Sequence, residues 1–147
     1  MITVDLNDIE LMDSGTAGGP DRVTFPFHSG TGTASTAAVL FELEPGNALG
    51  THTDSAEEIL LILAGEGEAH VGDERELVSA GQIAIVPSMA PHGIRNTGDT
   101  TLRVLGFFSG STVVSQFEEP LGPNGEKTAI IGATFPIFAK EPSALPV

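Results

Sequence analysis

Residues 46–65, GNALGTHTDSAEEILLILAG, and residues 81–96, GQIAIVPSMAPHGIRN, decide how this chain is read. In the first stretch Gly46 is followed by His52, Asp54, Glu58 and Gly65. In the second Gly81 is followed by Pro87, His92 and Asn96. By propensity, Ser55-Ala56-Glu57-Glu58 ahead of Ile-Leu-Leu-Ile-Leu-Ala fits a capping box that opens a short helix, with Gly65 as its stop. On a strand, His52 and Asp54 would instead point to the same face. Glu58, an even step further and beyond a short turn, would aim back at the same point. Periodicity over so few residues does not separate the two.

Outward from these stretches, residues 36 to about 109 alternate short apolar runs with turn signals. The turns are Pro45-Gly46-Asn47, Gly65-Glu66-Gly67, Gly72-Asp73, Ala80-Gly81 and Thr97-Gly98-Asp99. Such even spacing suggests a β-sandwich or barrel. The 18 glycines and 10 prolines argue against a helical bundle, since neither suits a helix interior. Several runs are apolar on both alternating faces: Leu60 and Ile62 against Ile59, Leu61 and Leu63, then Ile83 and Ile85 against Ala84 and Val86. A strand wet on one side should alternate. Leu61, Leu63 and Ile85 are therefore expected outside the barrel yet covered, by the tails or by another subunit. The phenylalanines of Thr134–Phe138 are expected to dock on the body.

With 147 residues the chain is one domain's worth of sequence. Six basic residues against 20 acidic ones give a net charge of −14, which disfavours nucleic acid and anionic membranes as partners. The absence of cysteine excludes disulfides, thiolate metal sites and cysteine nucleophiles. Met1–Ser14 is acidic and lacks a basic start and a long apolar run, unlike a secretory signal. The longest apolar stretch, Ile59–Ala64, is far too short for a membrane span. A cytoplasmic protein is expected.

The two stretches resemble the paired motifs of the cupin superfamily, G-x5-H-x-H-x3-4-E-x6-G and G-x5-P-x-G-x2-H-x3-N. Order and gap both match, the gap running from Glu66 to Ala80 as in small single-domain bacterial cupins. The resemblance implies an all-β, cupin-type double-stranded β-helix, a jelly-roll-like β-sandwich barrel with terminal extensions. One domain over 1–147 is expected, with its motif core at 36–109. The strand alternative for 58–64 is preferred on this ground. Closing the sheet would bring His92 opposite His52, Asp54 and Glu58 inside a small barrel.

By the same resemblance that point holds one divalent metal ion, and His52, Glu58 and His92 match family ligands. Two positions depart: Asp54 stands where the motif has its second histidine, and Met89 where it has a glycine. A ligating Asp54 makes the set two imidazoles and two carboxylates, shifting preference towards harder ions. Fe(II) is favoured, with Mn, Zn or Ni as alternatives. Otherwise Asp54 orients a histidine, leaving His52, Glu58 and His92 as a triad with open positions. Asp54 and Glu58 are the candidate catalytic residues. Glu57 is expected in solvent, His70 on the surface, His28 in a structural role, and Arg95 and Arg103 in surface pairs. The expected activity is that of an oxygenase or dioxygenase on a small organic molecule. The alternatives are a non-redox isomerase, cyclase or decarboxylase, or a small-molecule-binding barrel. A homodimer is expected, and a site that empties below about pH 6.

Overall fold

A computed structural model describes residues 1–14 and 18–132, and the backbone of 138–139. The side chains of Thr134–Phe138, expected to dock on the body, lie outside the described residues. The chain runs through β1 (Met12–Asp13), β2 (Arg22–Phe27), β3 (Ala37–Leu43), β4 (Ala48–Asp54) and β5 (Glu58–Ala64). It continues through β6 (Glu66–Val71), β7 (Glu74–Ser79), β8 (Ile83–Val86) and β9 (His92–Asn96). It ends with β10 (Leu102–Phe108), β11 (Val113–Phe117), β12 (Thr128–Ile131) and β13 (Phe138–Ala139). Among the described residues there is no helix, hence none long and apolar enough to cross a membrane.

Two antiparallel sheets face each other. One has the order β1-β2-β3-β10-β5-β8 and the other β13-β12-β11-β4-β9-β6-β7. This is the cupin-type all-β sandwich. The five expected turns fall at strand junctions, and the glycines at 46, 65, 72 and 81 all take positive φ. At Gly65 the demand is strict: with φ at 84°, an added Cβ would also lie 2.7 Å from the carbonyl oxygen of Thr101. Between the sheets pack Phe41, Leu43, Ile62, Leu102, Val104 and Val113. The buried Asn96 closes the following turn, its side chain donating to the carbonyls of Leu43 and Thr100 and accepting from Gly98 N–H.

The leucine-rich run 58–64 is a strand because both edges of its backbone find partners, β10 on one side and β8 on the other. Tertiary pairing overrides helical propensity here. Ser55 starts no helix. Its backbone N–H donates to Val114 O, and its hydroxyl accepts from Val114 N–H, each at 2.9 Å, tying the bend before β5 to β11.

The outer face of the first sheet is covered only in part by the described residues. Two cross-strand rows, Phe107–Ile59–Ile85 and Leu105–Leu61–Ile83, make an apolar grid. Leu61 and Leu63 are half-buried, but Ile83 and Ile85 are 70% and 65% exposed. The described residues of one chain therefore leave the β8 side of the grid open to solvent. Met89 is the other surprise: it sits at φ 64°, in the left-handed region that suits the glycine of the motif. A side chain there costs roughly 1–2 kcal/mol. The turn keeps its shape, with Met89 N–H donating to Asp54 O at 2.8 Å.

Candidate metal centre

β4 lies between β9 and β11, and this order assembles the site. His52 pairs directly with His92 on one side and with Phe117 on the other, while Asp54 pairs with Ser115. Glu58 reaches across from the start of β5 in the opposite sheet. All four predicted site residues are buried, at 5% exposure or less, in a barrel whose outer surface is strongly acidic. Glu57 is exposed, so the strand has not slipped by one.

Each imidazole is held by its Nδ1. His52 Nδ1 lies 2.7 Å from Gly50 O, and His92 Nδ1 lies 2.9 Å from Ala90 O. A carbonyl only accepts, so each Nδ1 carries the hydrogen and each Nε2 is free to offer a lone pair. Phe117 stacks on the His52 ring at 4.3 Å and 8°, fixing its plane. Ser115 Oγ donates to Asp54 Oδ1 at 2.5 Å, which turns Oδ2 towards the histidines. Asp54 Oδ2 is 3.1 Å from His92 Nε2 and 3.6 Å from His52 Nε2. One donor atom from each of His52, Asp54 and His92 lies within 4.8 Å of the other two. Glu58 stands just outside this trio, with Oε1 3.5 Å from His92 Nε2.

Asp54 Oδ2 and His92 Nε2 are buried with no hydrogen-bond partner from outside the site. Such burial is costly, and a cation bound between them would satisfy both. Two nitrogen donors and one or two carboxylates suit a divalent ion such as Fe(II), Mn(II) or Zn(II). The chemistry of the donor set thus fits the group that the motif implies.

Electrostatics follow from burial. Without metal, burial pushes the His52 imidazole down to about 4 despite the neighbouring Asp54. Burial also lowers His92, but the carboxylates of Asp54 and Glu58 outweigh it and carry this imidazole up to about 10. Burial raises the Glu58 carboxyl to about 7. Asp54 is pushed up by burial, yet the two histidines and Ser115 together hold it below the ordinary carboxylate range.

The surrounding cavity, about 110 Å³, is lined largely by apolar side chains, among them Phe25, Phe41, Leu60, Phe108 and Ile131. Ile62, two residues after Leu60 on the same strand, packs in the core and is not part of this lining. His28 has the expected structural place, its Nδ1 accepting from Gly30 N–H. His70 is half-buried rather than on the surface, and its Nε2 lies 3.1 Å from Thr51 Oγ1. Arg95 donates to Gly46 O, and Arg103 pairs with Glu42.

Three contributors carried no role in the sequence reading. Ser115 and Phe117 lie beyond the motifs; their one signal is a polar residue at the same strand parity as Val113 and Phe117. Gly106 is the third. A Cβ there would lie 2.3 Å from Glu58 Oε2 and 3.0 Å from Val39 Cγ1, so the bare backbone makes room for the carboxylate.

Residues 39–108 match the family model described as Cupin domain. The oxalate-binding protein of Thermotoga maritima is 38% identical over 65 residues, 44% of this chain and 54% of that protein. The chain thus spans about half the length of this curated relative. Among solved structures, the polyketide cyclase RemF of Streptomyces resistomycificus superposes with a TM-score of 0.64 at 21% identity, over 74% of this chain and 78% of that one. The Lactobacillus farciminis oxalate decarboxylase, solved as a formate complex, does so at 0.66 and 21%, over 77% of this chain and 34% of that one. At these identities the two structures speak for the fold alone.

The contact at Gly106 yields a prediction. Gly106→Ala is expected to destabilise the protein by about 1–3 kcal/mol, and by clearly less in a Glu58→Ala background, where the added methyl has room. Denaturant unfolding of the double-mutant cycle measures the coupling. Equal losses in both backgrounds would contradict the placement of Glu58.

Proposed function

We propose, on the premise that the match of residues 39–108 marks a cupin domain, that this chain is a metal-dependent enzyme, an oxygenase acting on a small, mostly apolar, oxygen-bearing molecule. The observation that carries this reading is the convergence of His52 Nε2, His92 Nε2 and Asp54 Oδ2, the last two buried 3.1 Å apart with no hydrogen-bond partner from outside the site. In it His52, Asp54 and His92 hold one divalent ion, with Glu58 as a fourth ligand or as the group beside it. Fe(II) is preferred, with Mn, Zn or Ni as alternatives. The domain is taken as 1–147 around the core at 36–109, in a cytoplasmic setting.

A bound Fe(II) supplies a site at which an oxygen-bearing substrate and O2 are brought together. The chain does the rest. Nδ1–H donation to Gly50 O and Ala90 O keeps both imidazoles in the tautomer that ligates. The apolar walls exclude water and hold the body of the substrate. Glu58, buried beside the trio and not needed among its three donors, can take a proton from a substrate hydroxyl or enol and return it. That feature also favours a second reading, a non-redox isomerase, cyclase or decarboxylase in which Glu58 moves the proton and no O2 is consumed. The name of the Thermotoga relative brings oxalate forward as a candidate ligand for the same site.

The apolar grid around Ile83 and Ile85 supports a homodimer through this face. It presents no charge on a chain of net charge −14, so it is where two copies meet with least repulsion. Light scattering at micromolar concentration is expected to give a dimer for the wild type and a monomer for Ile85→Lys; a monomeric wild type would overturn this.

Binding an ion requires His92 to release its proton, and Glu58 to release its own where it is the fourth ligand. Their values of about 10 and about 7 set the sign: affinity for Mn(II) rises with pH. About one proton is displaced per ion near pH 8, and about two near pH 6 where Glu58 ligates. Calorimetry in buffers of different ionisation enthalpy counts them, and a pH-independent affinity would exclude this pair from the site. For the reaction, Fe(II) protein reconstituted without air is assayed in an oxygen electrode with β-diketones and phenols. Turnover with oxygen uptake, lost in His52→Ala, is expected. Turnover without oxygen uptake would replace the oxygenase by the second reading. Binding without turnover, equal in both proteins, would reduce the domain to a binding barrel.

A further inference from the structure

Five cationic residues are described: Arg22, Arg75, Arg95, Arg103 and Lys127. None of them lines the cavity around the metal centre. Arg22 is engaged by Glu42 and Glu44, Arg75 by Glu68, Arg103 by Glu42 and the carbonyl of Leu6, and Arg95 by the carbonyl of Gly46. Polar groups in the lining are few. Among the described lining residues, those beyond the four of the site are Ser14, His70 and Ser115, and the last is committed to Asp54. The centre itself already contains two carboxyl groups.

Resting on the metal reading above, we infer that this cavity selects a neutral or singly charged oxygen ligand about the size of one small ring, and rejects dicarboxylates such as oxalate. Charge counting carries the argument. A divalent ion with Asp54 and Glu58 both ionised is neutral before any ligand enters. An enolate or phenolate then leaves one negative charge, and oxalate leaves two. If Glu58 holds its proton, each total moves up by one and the difference remains. In an apolar cavity with no arginine, lysine or amide side chain among its described lining residues, the second charge of oxalate has only Ser14 and His70 to meet, and His70 Nε2 already lies 3.1 Å from Thr51 Oγ1. Its outer carboxylate would face Phe41, Leu60 or Phe108, side chains that solvate charge poorly and a hydrocarbon body well. Size gives the other bound. A cavity of about 110 Å³ is somewhat smaller than the apolar cavity of about 150 Å³ that takes benzene. A small β-diketone or a phenol meets the charge limit, with oxygen at one end for the ion and hydrocarbon at the other for the apolar walls.

The test uses Mn(II)-loaded full-length protein, with acetylacetone, phenol and oxalate as probes. Binding is followed by the EPR signal of the protein-bound ion and by calorimetry, with metal-free protein as the control. Acetylacetone or phenol is expected to perturb the bound Mn(II). Oxalate is expected to bind on the order of 100-fold more weakly, or to draw the ion off into solution without forming a ternary complex. Ala84→Arg places a cation in the cavity wall and should narrow that ratio at least tenfold. The wild-type comparison stands without it if the variant does not fold. Retained Mn(II) with oxalate bound as tightly as acetylacetone would overturn this inference and leave the metal centre intact. Failure to retain Mn(II) at all would overturn the metal reading and this inference with it.

Discussion

Asp54 Oδ2 and His92 Nε2 are buried 3.1 Å apart, an ion pair with no hydrogen-bond partner from outside the site. Much of the architecture is arranged to keep them so. β4 is flanked by β9, which brings His92 opposite His52, and by β11, which brings Ser115 opposite Asp54. Backbone carbonyls hold both rings by the far nitrogen, and a serine holds the carboxylate by its far oxygen. What these contacts leave pointing inwards is the part of each group that interacts most strongly with a cation. Burial with no partner outside the site is costly for such atoms, so an arrangement that enforces it for both fits an ion better than a chance packing of polar side chains.

The opposite sheet supplies the contrast. It contributes Glu58 and a largely apolar wall, and at Gly106 it gives up a side chain so that the carboxylate can lie against the backbone. Burial lifts the Glu58 carboxyl into the neutral range, while Asp54, close to both histidines, goes the other way. Two carboxyl groups a few ångströms apart thus have different tasks, one suited to charge and one to proton exchange. Replacing the second motif histidine by Asp54 makes the centre richer in oxygen and negative charge. The replacement depends on Ser115, a residue on a strand outside the motif pair.

The fold and the identity of the four central residues were legible because they depend on spacing. A two-residue step on a strand puts His52 and Asp54 on one face and a glycine marks each turn, while the resemblance of the paired motifs to cupins is what implied that Glu58 and His92 join them. The supports were not legible because they are non-local. Ser115 lies 61 residues from Asp54 along the chain, and only the pairing of β11 with β4 reveals what its hydroxyl does. Ser55 carried a misleading local signal, a capping box whose serine is spent on tying strands together. The exposure of Ile83 and Ile85 was hidden for a different reason. Apolar alternation shows that a face needs cover, and it cannot show whether one chain provides it.

Anomalous diffraction from crystals of the protein loaded with Mn(II) or Fe(II), collected at the metal's absorption edge, tests the central claim most directly. One peak per chain is expected, bounded by His52 Nε2, His92 Nε2 and Asp54 Oδ2, and absent from His92→Ala crystals treated in the same way. Wild-type crystals soaked in either ion with no peak at that point, or with a peak that survives the loss of His92, would contradict the account.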